Sequence, residues 1–202
     1  MHTAIIDDRT QQCEGVIELA EQHVILTRHV IPIFPCRATA YRAVAGLRRQ
    51  RQLRAVGHAL MEITGRPEIA YCNSWKPKAD QLRHEVWVTD FLLCYPEAEI
   101  VRGWRVDRQI RADAEMELRG QKFYVELDSG EQSHRQVRQR QLAYAGVRDF
   151  LLYVTLSERR LAGLIKHAES VKHIALFTTL QRVMADPHGA VWVDCQGQTV
   201  AI

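Results

Sequence analysis

The chain has 202 residues with 27 Lys and Arg against 24 Asp and Glu, a formal net charge of +3. That length buries a real core in one large or two small domains, and so mild a net charge makes the distribution of charge matter more than its total. No apolar run approaches the roughly 20 residues of a membrane span, and the start, MHTAIIDDRTQQ, lacks the basic and apolar regions of a secretion signal, so the reading is a cytoplasmic protein with no membrane partner.

Taken in order, Val16, Ile17, Leu19 and Ala20 supply the apolar face of a first helix. Thr27 is expected to cap a second one through Val30, Ile31 and Phe34, ended by Pro35. From Ala38 to Gln50 helical spacing returns at Tyr41, Val44, Ala45 and Leu47, which leaves Arg37, Thr39, Arg42, Arg48 and Arg49 on exposed or terminal positions, with Arg54 just beyond. Leu53 to Val56 and Ala59 to Thr64 read as two short strands around Gly57-His58, with Gly65-Arg66-Pro67 as a stop. Between Gln22 and Met61 there is no Asp or Glu, while seven arginines fall in that window. Three helices and a hairpin in this order predict a winged helix-turn-helix over residues 1–67, whose third helix enters the major groove of double-stranded DNA. Arg37, Thr39, Arg42, Arg48, Arg49 and Arg54 are its candidate DNA contacts. A solvated basic face on a small helical domain is the blander alternative.

Residues 67–78, with Pro67, Asn73-Ser74 and Pro77, read as a connection to a second domain over 78–202. Ala79 to Cys94 predicts a helix carrying His84 and Glu85, and Ile100 to Trp104 a strand. Asp113, Glu115 and Glu117 alternate with Ala114, Met116 and Leu118 as a strand with one polar face, Arg119-Gly120 turns the chain, and Phe123 to Asp128 returns as a central strand. Ser129-Gly130-Glu131-Gln132 suggests a capping box for a helix running to Ala145. Asp149 to Thr155 is a strand, Ser157 opens another helix, Ile174 to Thr178 is a strand, and a last apolar pair flanks Gly197. The order predicts an α/β domain with a mixed sheet, an antiparallel hairpin at Arg119-Gly120 and a crossover after Asp128. Ligands favour strand ends in such sheets, where Glu126 and Asp128 stand. The five cysteines, Cys13, Cys36, Cys72, Cys94 and Cys195, show no C-x-x-C pair and read as buried thiols in a reducing compartment.

Two carboxylates ending a buried strand need a cation, because burying unpaired charge is costly. This pattern resembles the PD-(D/E)XK nuclease superfamily, in which acids on adjacent strands hold a divalent metal. On that resemblance Asp113 and Glu126 are the metal-binding acids, Glu85 is the additional helix acid, and Mg2+ or Mn2+ is the cofactor if the site is catalytic, with none otherwise. Asp128 stands where the superfamily has its lysine. Lys122 shares the face of Glu126 and is the candidate substitute, and Gln141 and Tyr144 resemble the glutamine and tyrosine of one branch, one residue closer together. The catalytic set is therefore Asp113, Glu126, Asp128, Lys122 and Gln141. The alternative is that the acids pair with Arg135, Arg138 and Arg140 of the following helix.

Over nearly its full length the chain also resembles the replication-relaxation family of plasmid and mobile-element proteins. The resemblance is carried by LRRQRQLRAV into LMEITGRPEI, LRHEVWVTDFLL, ADAEMEL, FYVELDSGEQS, LLYVTLSERR, and HIALFTT with the later AVWVD. It implies DNA binding linked to replication and DNA relaxation, a winged helix ahead of a nuclease-like domain, and other replication or transfer proteins as partners. Paired half-sites suit a homodimer, although no heptad or apolar stripe marks an interface. A metal-dependent DNA endonuclease or nickase is the enzyme alternative, and a pure assembly protein with an acidic docking face is the third reading.

Overall fold

The computed structural model describes residues 8–61, 65–103 and 110–202. The chain divides into two compact units, Met1–Thr89 and Asp90–Ile202. Among the described residues it is a mixed α/β protein with seven α-helices and a seven-stranded mixed sheet. No helix among them is long and apolar enough to cross a membrane.

The first unit opens with α1 (Asp8–Gln22), α2 (Thr27–Val30) and α3 (Arg37–Arg49). Thr27 is inside α2 instead of capping it; Leu26 is the extended residue before the helix, and its N–H donates to Nδ1 of His29 at 3.1 Å. The helix also ends earlier than Pro35, tightening at Ile31–Ile33 into a 3-10 turn that admits Pro32 near its start, where a missing N–H costs least. Val16 and Ala20 of α1 pack with Val30, Phe34 and the buried Ala40, Ala43, Val44 and Leu47 of α3.

The strands after α3 differ from the expectation. β1 (Ala55–Ala59) runs through Gly57-His58, and its antiparallel partner is β2 (Glu68–Tyr71), inside the stretch expected to be a connection. Gly57 is a strand residue here because Leu82 lies against it: a Cβ at position 57 would come within 2.8 Å of Leu82 Cδ2. The pairing register shifts between Ala55 and Gly57. The expected second strand, Ala59 to Thr64, falls partly outside the described residues. The following segment is tied into the unit, since Asn73 accepts from the Arg54 N–H at 3.0 Å and donates to the Gln52 carbonyl at 3.0 Å. α4 (Leu82–Leu92) then begins by packing Leu82 and Val86 against Val56, Ala59, Ala70 and Cys72.

In the second unit the sheet runs in sequence order: β3 (Glu99–Arg102), β4 (Ala114–Leu118), β5 (Gln121–Asp128), β6 (Phe150–Thr155), β7 (Ala175–Thr179), β8 (Trp192–Val193) and β9 (Thr199–Val200). β3 to β5 pair antiparallel, β5 to β7 parallel, and β7 to β9 antiparallel. The β4–β5 turn is made by Arg119 and Gly120, both at positive φ (53° and 77°), the pair of left-handed residues that a tight hairpin of the right twist requires. α5 (His134–Ala143) and α6 (Glu158–Lys166) follow β5 and β6 as the crossovers. The cap of α5 is Ser133 in place of Ser129: its hydroxyl accepts from the Gln136 N–H, and the Gln136 side chain accepts from the Ser133 N–H at 2.8 Å. α7 (Leu180–Ala185) was not expected; it starts directly from β7, with Thr179 as its cap.

Alternation along the strands puts Glu126 and Asp128 on the same face as Tyr153 and Phe177. That face is covered by Val137 and Tyr144 of α5 and its end, and by Leu161 and Leu164 of α6. The acids therefore lie under helices.

Candidate nucleic-acid interface and carboxylate cluster

In the first unit α3 buries Ala40, Ala43, Val44 and Leu47, the i, i+3, i+4, i+7 set, so Arg42, Arg48 and Arg49 point away from the core. No ion pair to these three is present among the described residues. Together with Arg9 of α1 and Ala45 they wall an open hollow of about 650 Å3, and Arg9, Arg42 and Arg49 also line an adjoining hollow with Glu14. Arg9 was missed in the sequence because only the packing of α1 on α3 brings it there.

The other expected contacts separate from this group. Thr39 is half-buried, and its hydroxyl lies 3.2 Å from Cys36 Sγ. Arg37 folds along the helix, donating to the Tyr41 hydroxyl at 3.3 Å with its guanidinium 5.4 Å from that ring. Arg54 is engaged within the unit: its Nε donates to the Cys72 carbonyl at 2.9 Å and its Nη2 to the Trp75 carbonyl at 2.6 Å, so it holds the base of the hairpin. Cys36 is exposed and only Cys72 is buried, against the expectation of buried thiols; all five cysteines are free.

In the second unit Glu126 is 1% exposed and both its oxygens are engaged. Tyr144 donates its hydroxyl to Oε1 at 2.6 Å and Arg140 its Nη1 to Oε2 at 2.8 Å. These two donors stand four apart at the end of α5, one helical turn, and so reach the same carboxylate. Glu126 holds the Arg140 guanidinium above its ordinary pKa, against the opposing effect of burial, and Asp113 adds to it. Burial first, and the Glu126 charge second, push the Tyr144 and Tyr153 hydroxyls far up.

Asp128 accepts from the Gly130 N–H at 2.7 Å through Oδ1, and through Oδ2 from Arg160 Nε at 2.9 Å and Nη2 at 2.7 Å. Arg160 also donates to the Gln132 carbonyl at 2.7 Å, so Asp128 and Arg160 clamp the loop after β5 to the start of α6. Asp113 accepts from the Leu127 N–H at 2.8 Å, which ties it beside Glu126. Lys122 does share the parity of Glu126, but it is paired with Glu115 at 2.7 Å and sits over the Tyr124 ring, at the far end of the strand. Glu85 belongs to the first unit, unlike Asp113 and Glu126. Gln141 is wholly buried, and among the described residues neither of its amide atoms has a hydrogen-bond partner, nor does the Tyr153 hydroxyl.

Among the described residues no three of His, Cys, Asp and Glu gather to hold a metal ion. No family model matches the chain, and no curated protein does. The sequence alternative in which arginines neutralise the acids is met for Glu126 by Arg140. For Asp128 it is met by Arg160, and not by Arg135 or Arg138.

Proposed function

We propose that the chain is a double-stranded DNA-binding protein of a plasmid or other mobile element. On this reading its first unit is a winged helix-turn-helix and its second a PD-(D/E)XK-like domain, in the manner of the replication-relaxation family. It acts in replication, DNA relaxation or their control, alone or as a homodimer with other replication or transfer proteins. The observation that carries this reading is the outward side of α3, where Arg42, Arg48 and Arg49 are exposed and have no ion pair among the described residues. Phosphates take such cations through counterion release, so affinity falls steeply with salt. The Arg42→Ala, Arg48→Ala double variant is expected to lose most duplex retention in a gel shift at moderate salt. Retention equal to the parent removes the reading, and a parent chain that holds no DNA at low salt favours the assembly alternative.

The metal-dependent endonuclease comes second, supported by the nearness of Asp113 to Glu126. As they stand the carboxylates do not fit a divalent ion: Arg140, Tyr144 and Arg160 already supply the donors and positive charge that an ion would supply. The expected result is no nicking of supercoiled plasmid with Mg2+ or Mn2+. Metal-dependent nicking that disappears in Asp113→Asn restores the enzyme reading.

A further inference from the structure

We propose that His134 and His167 form a two-imidazole site for a borderline divalent transition-metal ion such as Zn2+, and that the bound ion ties the start of α5 to the end of α6. The inference stands apart from the DNA reading and uses neither Glu126 nor Asp128.

His134 is the first residue of α5, and His167 is the residue that ends α6. Their ring centres are 4.9 Å apart, with the ring planes inclined at 53°. A zinc–nitrogen bond of about 2.0–2.1 Å puts an imidazole centre roughly 3.2 Å from the ion, so two imidazoles on one tetrahedral ion have centres about 5 Å apart. The observed spacing is that of two ligands to one ion. Apart from this ring contact, neither side chain has a hydrogen bond or ion pair among the described residues, so no protein group competes for the ring nitrogens.

The approach is made locally by α6. At Gly163 a Cβ would come within 2.9 Å of His134 Cε1, so the missing side chain leaves room for the ring. His134 is exposed and His167 half-buried, which gives an ion access from solvent and one ring held by its surroundings. The last carbonyls of a helix leave partial negative charge at its end, and a cation beside His167 is favoured there. Arg135 and Lys166, the cationic neighbours in sequence, are exposed.

Imidazole nitrogen selects zinc, copper or nickel over Mg2+, which prefers oxygen ligands. No third His, Cys, Asp or Glu joins the pair among the described residues, so water completes the coordination and the ion is exchangeable. The consequence falls on the helices over the carboxylates. Arg140 of α5, with Tyr144 at its end, donates to Glu126, and Arg160 of α6 donates to Asp128. An ion held between α5 and α6 steadies both sets of donors at once.

The test is isothermal titration of the full chain with ZnCl2. The parent is expected to bind one ion, and His134→Ala or His167→Ala to weaken it at least about tenfold, since loss of an outer-shell partner alone costs that much. His58→Ala and Cys36→Ser, which remove an exposed imidazole and the exposed thiol of the first unit, retain the parent's affinity. Amide hydrogen exchange on the parent gives a second readout that needs no variant: Zn2+ slows exchange in α5 and α6, and MgCl2 does not. Melts without metal show whether the alanine variants fold, and where one does not, the parent's exchange map decides. A parent that binds no zinc has a packed ring pair only, and the inference falls. It falls equally if the folded alanine variants bind as the parent does, or if the protection appears outside α5 and α6.

Discussion

Arg140→Ala lowers the unfolding free energy by about 2–4 kcal/mol at neutral pH, as expected for stranding one partner of a buried ion pair. The effect comes from Glu126, which is 1% exposed and keeps the Tyr144 hydroxyl but loses the guanidinium charge. Arg140 itself is 38% exposed along its side chain, so water partly replaces it and the lower half of that range is favoured. A second limit comes from protonation. A stranded Glu can always take a proton, at about 1.4 kcal/mol per pH unit above an ordinary carboxyl pKa of about 4.3, or ~3.7 kcal/mol at pH 7. The deficit of the variant is therefore expected to shrink as pH falls from 7 towards 4. Glu126→Gln in the Arg140→Ala background recovers most of the loss, because it removes the charge that burial penalises. Urea melts of the parent, the single variant and the double variant at pH 7 and pH 5 read all of these. A double variant no more stable than Arg140→Ala shows that Glu126 was not the source of the cost.

The fold was legible where a residue pattern is local. β4, β5 and β6 fall within a residue or two of expectation, because alternation and the Arg119-Gly120 turn act over neighbours in sequence. β1 was misread at Gly57-His58, since a glycine that admits Leu82 from α4 looks the same in sequence as a glycine that makes a turn. The site divides in the same way. Arg140 was legible as a partner of Glu126, being on the very next helix. Arg160 was not, because it lies 32 positions from Asp128. Its pairing follows from the parallel register of β5 and β6, which sets Asp128 opposite Thr155 and so brings the first turn of α6 to the same strand end. Lys122 shows the converse: parity along the strand was right, but Glu115, diagonal to it on β4, decides where its charge goes.

Removing one hydroxyl from each of two buried tyrosines is expected to change stability in opposite directions. Tyr144→Phe deletes a 2.6 Å hydrogen bond to the Glu126 carboxylate and costs about 1.5–3 kcal/mol, the range for bonds to charged groups. Tyr153→Phe deletes a buried hydroxyl that has no partner among the described residues, and the ring keeps its stacking on Phe177, 5.6 Å away. Its desolvation penalty disappears, so this variant is expected to gain about 1 kcal/mol. The two then converge in their alkaline behaviour. Both hydroxyls are raised by burial and by the negative charge of Glu126, and Tyr95 is raised as well, chiefly by burial. In the unfolded chain a tyrosine releases its proton near pH 10 while the folded protein still holds it, so stability is full below about pH 10 and falls above it. Each such tyrosine contributes a slope of about −1.4 kcal/mol per pH unit. Either phenylalanine variant is therefore expected to flatten the decline between pH 10 and pH 11 by one such increment, whatever its sign at pH 7. Urea melts across pH 7 to 11 measure both effects. Equal losses at pH 7 for the two variants would mean that the Tyr153 hydroxyl has a partner in solution, and an unchanged alkaline slope would mean that burial does not hold these protons.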